Sequence, residues 1–262
     1  MTSMINKNNN PIAFLDSGVG GISVLNEAIK MLPKENYIYF GDSKNAPYGT
    51  RTTAEVRELT ERNVEFLLNN GAKAVVIACN TATSAAAEYL RNKYKELPII
   101  GVEPALKPAA LDNEEKKILV MATPMTLAEK KFNTLMAGYE KYARIVPVPC
   151  GGLMEFVEAG ILDGQELEEF LRKILAKDLC KDAEAVVLGC THYPFIKETI
   201  IKVIGHDVKI YDGGEGTARQ LQRRLKRDRL LRKSGEHGQV EMMNTLKEEN
   251  IMNLSHKLLI KI

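Results

Sequence analysis

The side chains best equipped for chemistry are two cysteines in matching surroundings. Ala74-Val75-Val76-Ile77-Ala78-Cys79-Asn80-Thr81 and Ala185-Val186-Val187-Leu188-Gly189-Cys190-Thr191-His192 start 111 positions apart, and each is an apolar run ending in a thiol followed by small polar residues. Such a run reads as a strand buried on both faces, and in α/β folds ligands bind at the carboxyl ends of parallel strands. A pseudo-twofold pair of domains sets two such thiols on opposite faces of whatever lies between them. That arrangement inverts a stereocentre: one thiolate removes a proton from one face while the opposing thiol returns a proton on the other. A free thiol titrates near about 8.5, and a neighbouring cation or hydrogen-bond donors lower this enough to make a base at neutral pH.

The elements that must position these thiols repeat as well. Ile12-Ala13-Phe14-Leu15 and Ile118-Leu119-Val120-Met121 are 106 positions apart, close to the spacing of the cysteine runs, which points to a duplication. Ser17 and Thr123 then become counterparts, each a hydroxyl just past a strand. The alternation of apolar runs with helical spacing predicts two pseudo-symmetric α/β domains with mainly parallel sheets and an active site between them. Helices are expected over 22–31, 53–69, 83–95, 153–159, 164–176, 216–233 and 248–259, with Gly71 capping the second. The expected division is a loose tail over 1–10, a first domain of 11–100 plus 211–262, and a second of 101–210.

Composition narrows the classes of function. With 45% hydrophobic residues the 262-residue chain has ample core, and 36 basic against 34 acidic residues leave +2, too balanced to imply a nucleic-acid partner. Four cysteines, two of them at strand ends, suit thiol chemistry in a reducing compartment better than a disulfide framework. No apolar stretch approaches the roughly 20 residues that cross a bilayer, and the opening residues lack the core of a secretory signal. A soluble cytoplasmic protein with no membrane contact is therefore expected. The turn Asp16-Ser17-Gly18-Val19-Gly20-Gly21 lacks both the dinucleotide glycine spacing and the lysine of a P-loop, and Asp16 would repel a phosphate. A carboxylate there suits an ammonium group or proton handling. The cysteines and histidines do not follow metal-ligand spacing, so no metal is expected; Cys150 and Cys180 read as ordinary thiols. The segment 219–233 has eight basic residues against Asp228, a solvated helix face or a contact for an acidic partner.

Taken together, Phe14 to Gly21, Gly41-Asp42-Ser43 through Ala46-Pro47-Tyr48-Gly49, Ala78-Cys79-Asn80-Thr81-Ala82 and Leu188-Gly189-Cys190-Thr191-His192-Tyr193-Pro194 resemble the glutamate racemases of the aspartate/glutamate racemase superfamily. The resemblance runs collinearly from about Ile12 to Leu225. It implies a cofactor-independent interconversion of L- and D-glutamate, the D-isomer feeding peptidoglycan synthesis in a bacterial cytoplasm, and a homodimer. It assigns the acid/base thiols to Cys79 and Cys190, with Asp16 assisting the first, and His192 and Glu158 the second. Asp16, Ser17, Pro47, Tyr48, Gly49, Asn80, Thr81, Thr123, Thr126, Thr191 and His192 match positions that hold the substrate. Pro124 and Met125 stand where the family commonly has a glycine.

Two other readings stay open on sequence alone. Within the superfamily, the alternative is a racemase for aspartate, or a cysteine-dependent isomerase or decarboxylase of related acids; from another class, the chain is a non-catalytic binding protein using its basic helix, with both thiols incidental.

Overall fold

Alternating strand and helix segments build two sheets in which every strand pairing is parallel. The computed structural model describes residues 7–260, so residues 1–6 of the expected tail lie outside the described residues. The chain divides into two compact units, one running to Val102 and resuming at Gly214, the other spanning Glu103–Gly213.

The first unit contains β1 (Ile12–Asp16), α1 (Ile22–Met31), β2 (Tyr37–Gly41), α2 (Thr53–Asn69), β3 (Ala74–Ile77), α3 (Asn80–Lys93) and β4 (Ile99–Gly101). The second contains α4 (Leu106–Asp112), β5 (Lys117–Ala122), α5 (Pro124–Ala128), α6 (Lys130–Tyr139), β6 (Arg144–Pro149), α7 (Leu153–Glu158), α8 (Gln165–Ile174), α9 (Lys177–Cys180), β7 (Ala183–Leu188), α10 (Lys197–Ile204) and β8 (Lys209–Asp212). The chain then returns to the first unit as α11 (Gly214–Arg227), β9 (Val240–Asn244) and α12 (Glu249–Ile260).

Strand order is β4-β3-β1-β2-β9 in the first sheet and β6-β5-β7-β8 in the second. Read from the cysteine-bearing side, both follow one plan, with β9 added at the edge of the first. The register repeats too. Leu15 pairs with Ile77 in one sheet and Met121 with Leu188 in the other, each residue displaced by its own repeat spacing. Just beyond, Ala78 N–H donates to Leu15 O and Gly189 N–H to Met121 O, both at 2.7 Å. The two strand ends that lead into the cysteines are thus built alike.

Burial explains why these runs became strands. All of β1, β2 and β3 is buried, as expected for a parallel sheet covered on both faces. In the second unit Ile118, Val120, Ala185 and Val187 pack with Leu106, Ala109, Ala110, Phe132 and Met136 of α4 and α6. Each large apolar side chain so buried contributes about 1.5–3 kcal/mol. Local signals set the helix ends. Thr52 and Glu55 form a reciprocal capping box at the start of α2. At its far end Gly71, at φ +85°, turns the chain while Ala72 N–H reaches back to Leu67 O.

Three expectations are corrected. The helix after the first cysteine begins at Asn80 rather than Thr83, because Cys79 itself is the N-cap. The basic helix spans Gly214–Arg227, not 216–233: Arg229 adopts φ +57°, and Arg232 leaves the helix to donate its backbone N–H to Glu35. Lys7–Asn9, placed in the loose tail, form a 3-10 turn whose carbonyls are held by Lys73 on Asn8 and Asn36 on Asn9.

Lys73 and Glu35 form an ion pair at 2.5 Å with both side chains nearly inaccessible, at 1% and 3% exposure. Burial pulls the Lys73 ammonium below its usual value, opposed by the Glu35 carboxylate. Removing one member of such a pair leaves an uncompensated buried charge. Lys73→Met should lower the unfolding free energy by about 3–5 kcal/mol. Adding Glu35→Gln, which keeps an acceptor for Arg232 without the charge, should recover part of the loss. Urea unfolding of both variants checks this; a Lys73→Met protein as stable as the parent contradicts it.

Candidate active site

The first cysteine sits where a strand hands over to a helix. β3 ends at Ile77, Cys79 has extended backbone angles, and its sulfur accepts the N–H of Ala82 at 3.5 Å in the first turn of α3. A 14-residue helix presents unsatisfied N–H groups and the positive end of its dipole here, both of which favour an anion. Ser17 Oγ lies 3.6 Å from the Cys79 sulfur and 3.5 Å from Asp16 Oδ1. The serine therefore stands between carboxylate and thiol, where the sequence reading put Asp16 beside Cys79. Gly18 N–H donates to the same Asp16 oxygen at 2.8 Å. Gly21 is required for this packing, since a Cβ there would lie 2.7 Å from Asp16 Cβ and 2.9 Å from Ala78 Cβ.

The loop after β2 closes on the same strand ends. Asp42 N–H bonds Asp16 O at 2.9 Å, and the wholly buried Asp42 carboxylate receives Tyr48 Oη at 2.6 Å, Asn63 Nδ2 at 3.0 Å and Asn45 Nδ2 at 2.9 Å. Burial, the Asp42 charge and its hydrogen bond, and the more distant Cys79 and Asp16 charges all push the Tyr48 phenol up, so it stays neutral. Pro47 and Gly49 flank it, both half-buried. Asn80 and Thr81 open α3 in buried positions, and Asn80 Oδ1 is a buried acceptor with no hydrogen-bond partner.

The second cysteine has a different support. No helix starts at Cys190; Thr191 and His192 lead into a 3-10 turn over Tyr193–Ile196. In place of a helix N-terminus, His192 Nδ1 lies 3.6 Å from the sulfur and His192 Nε2 2.6 Å from Glu158 Oε1 at the end of α7. Burial alone would drive His192 down, but hydrogen bonds and charge from Cys190 and Glu158 outweigh it and hold the imidazole well above its ordinary value. Thr123 caps α5, its Oγ1 accepting from Thr126 N–H at 3.2 Å and donating to Thr126 Oγ1 at 2.9 Å.

Within each unit the residues named from sequence therefore gather around their own thiol: Asp16, Ser17, Tyr48, Asn80 and Thr81 with Cys79; Glu158, Thr191 and His192 with Cys190. Thr123 and Thr126 are joined to each other past the end of β5. Sequence reading missed Asn63 and gave Asp42 no role. The signal for Asn63 was a polar side chain among the buried Val56, Thr60, Val64 and Leu67 of α2. Cys150 is the residue after β6, as Asp42 is after β2, and its N–H bonds Ala122 O as Asp42 bonds Asp16 O. Its thiol donates to Val148 O, and burial reinforced by the Cys190 charge pushes it up to about 12. Among the described residues no group of three or more His, Cys, Asp or Glu is placed to hold a metal, and no helix is long and apolar enough to cross a membrane.

Comparison with known proteins follows the same lines. The family model for Asp/Glu/hydantoin racemase matches residues 17–221. The chain is 60% identical over 250 residues to a glutamate racemase of Clostridium novyi, covering 95% of this chain and 96% of the relative. A Bacillus anthracis glutamate racemase isoform superposes with TM-score 0.85 at 32% identity, covering 96% of this chain and 94% of that one. The Francisella tularensis glutamate racemase, solved in complex with D-glutamate, superposes with TM-score 0.81 at 29% identity and the same coverage. The chain belongs to the Asp/Glu/hydantoin racemase family, and within it to the glutamate racemases.

Proposed function

We propose that the protein interconverts L- and D-glutamate by proton transfer at Cα, with Cys79 and Cys190 as the two acid/base groups and no cofactor. The observation that carries this reading is the repeated strand register, which delivers one sulfur past the carboxyl end of β3 and one past β7. The Francisella relative, described in complex with D-glutamate, supports the choice of substrate.

The two thiols are activated by different means. At Cys79 the Ala82 N–H points at the sulfur at the head of α3, an arrangement suited to holding a thiolate, and the Ser17 oxygen lies 3.6 Å away, between the thiol and Asp16. At Cys190, His192 keeps a proton next to the sulfur, and Glu158 holds the imidazolium in place. When Cys79 takes the α-proton, Cys190 delivers its own to the opposite face and is left as a thiolate beside the protonated His192; the reverse reaction starts from that state with the roles exchanged. The α-proton is held tightly, so the carbanion-like transition state must be met by fixed donors and exclusion of water. Ser17, Thr81, Thr191 and the backbone at Tyr48 and Gly49 are assigned to the carboxylates. Asn80 Oδ1, buried with no partner of its own, is assigned to the substrate ammonium. Thr123 and Thr126 line the Cys190 half. Similarity to the family extends the reading to a homodimer in a bacterial cytoplasm whose D-glutamate enters peptidoglycan.

Incubation with L-glutamate in deuterated water tests the reaction: inversion with deuterium at Cα is expected, whereas inversion of aspartate alone replaces the substrate and no exchange with either acid refutes the reading. Cys79→Ser and Cys190→Ser should each lose about 10²–10⁴-fold in turnover; near-parental rates in either variant contradict the two-thiol assignment.

A pH test addresses Glu158. A histidine whose folded value is raised adds stability that is fully present below its unfolded value of about 6.5 and disappears as pH climbs through the folded value. Glu158→Gln removes one source of the rise at His192. The stability gap between parent and variant should therefore be widest from just above the ordinary carboxylate range, about 4.3, to about 6.5, where carboxylate and imidazolium are both charged, and close as pH rises through the parental His192 value. Urea unfolding at a series of pH values, with proton NMR titration of the His192 ring moving down in the variant, measures it.

A further inference from the structure

We infer that Asp42 and Asn63 are positioning residues for substrate binding, acting through Tyr48 and Gly49; this rests on the racemase reading above. Asp42 touches the site at two levels. Its backbone N–H is bonded to Asp16 O, fixing it to the end of β1, while its side chain grips the loop that follows β2. The carboxylate is wholly buried and takes neutral donors from three separate places: Asn45 at the start of the loop, Tyr48 in the 3-10 turn Tyr48–Thr50, and Asn63 in the middle of α2. Asn63 Nδ2 lies 3.2 Å from Tyr48 Oη as well, so one amide braces both the carboxylate and the phenol.

The consequence for Tyr48 is geometric. Its hydroxyl proton is committed to Asp42 at 2.6 Å, so the phenol is not a proton donor in the reaction. The bond instead pins the ring and the backbone of Tyr48-Gly49. Loop segments hold a fixed conformation only when something offsets the entropy of ordering them, and charge-assisted hydrogen bonds are the strong kind. Arg51 Nε on Asn45 O, at 2.8 Å, closes the far side of the same loop. Asn63 itself is outside the reacting set, since it reaches the loop only through Asp42 and Tyr48.

We assign the backbone of this loop to the side-chain carboxylate, which is remote from Cα and keeps the same charge in ground and transition states. A looser loop therefore weakens both equally, and the loss falls on KM. Asn63→Ala should raise KM for both enantiomers of glutamate about tenfold, with kcat within about twofold of the parent and the variant still fully folded at the assay temperature by circular dichroism. Tyr48→Phe, which keeps the ring and removes the 2.6 Å bond, should shift KM the same way and guards against misfolding of the first variant. An unchanged KM in both, or a fall in kcat at constant KM, overturns the inference. If the parent protein inverts glutamate and the variants match its KM, this inference alone fails; if the parent does not invert glutamate, the racemase reading fails first and takes this one with it.

Discussion

Parallel strand pairing in a shared register is the constraint on which the rest depends. A parallel sheet fixes where every strand stops relative to its neighbour, and a slip of one residue would turn each side chain to the other face. In both units the carbonyl of the next-to-last residue of an inner strand, Leu15 of β1 or Met121 of β5, accepts the N–H immediately before the cysteine. The sulfurs are thus placed by backbone hydrogen bonds rather than by side-chain packing. This accounts for glycine or alanine before each thiol: a Cβ on Gly189 would lie 2.9 Å from Ala122 Cβ, too close for any larger group.

On that common frame the two halves diverge in how they treat their sulfur. The first uses the head of a long helix and a serine hydroxyl, the second a histidine backed by a carboxylate. Equivalent positions carry different chemistry throughout: Asp16 at the end of β1 corresponds to Ala122, and Asp42 after β2 to Cys150. The shared strand order and register supply matched geometry, and the residues that differ between the halves supply unequal polarisation. The reaction proposed for them does not require the halves to be identical, only that each sulfur can alternate between proton acceptor and donor.

Much of this was legible in the sequence. The apolar runs, the doubled cysteine context and the Gly71 stop after α2 are local signals that tertiary structure had no reason to override. The short helices α4 and α6 were not legible. Pro108 lies inside the first, where the first turn tolerates it, and the second has an irregular apolar pattern. The start of α3 was misplaced because Asn80 and Thr81 favour caps over helix interiors, and nothing local shows that a cysteine takes the cap. The grouping of Asp42, Tyr48 and Asn63 depends on contacts up to 21 positions apart, which periodicity does not encode.

β9 pairs in parallel with β2, and its end is stitched to the loop that follows: Thr245 N–H to Gly41 O, Asn244 Nδ2 to Ser43 Oγ, and Lys44 N–H to Thr245 Oγ1. The last strand of the first sheet is therefore made from chain that follows the whole second unit. During synthesis the second unit, being contiguous, emerges entire while the first still lacks an edge. A chain made from its N-terminus therefore completes the second unit before β2 gains its outer neighbour, and the first sheet is closed off by one of the later segments to be made.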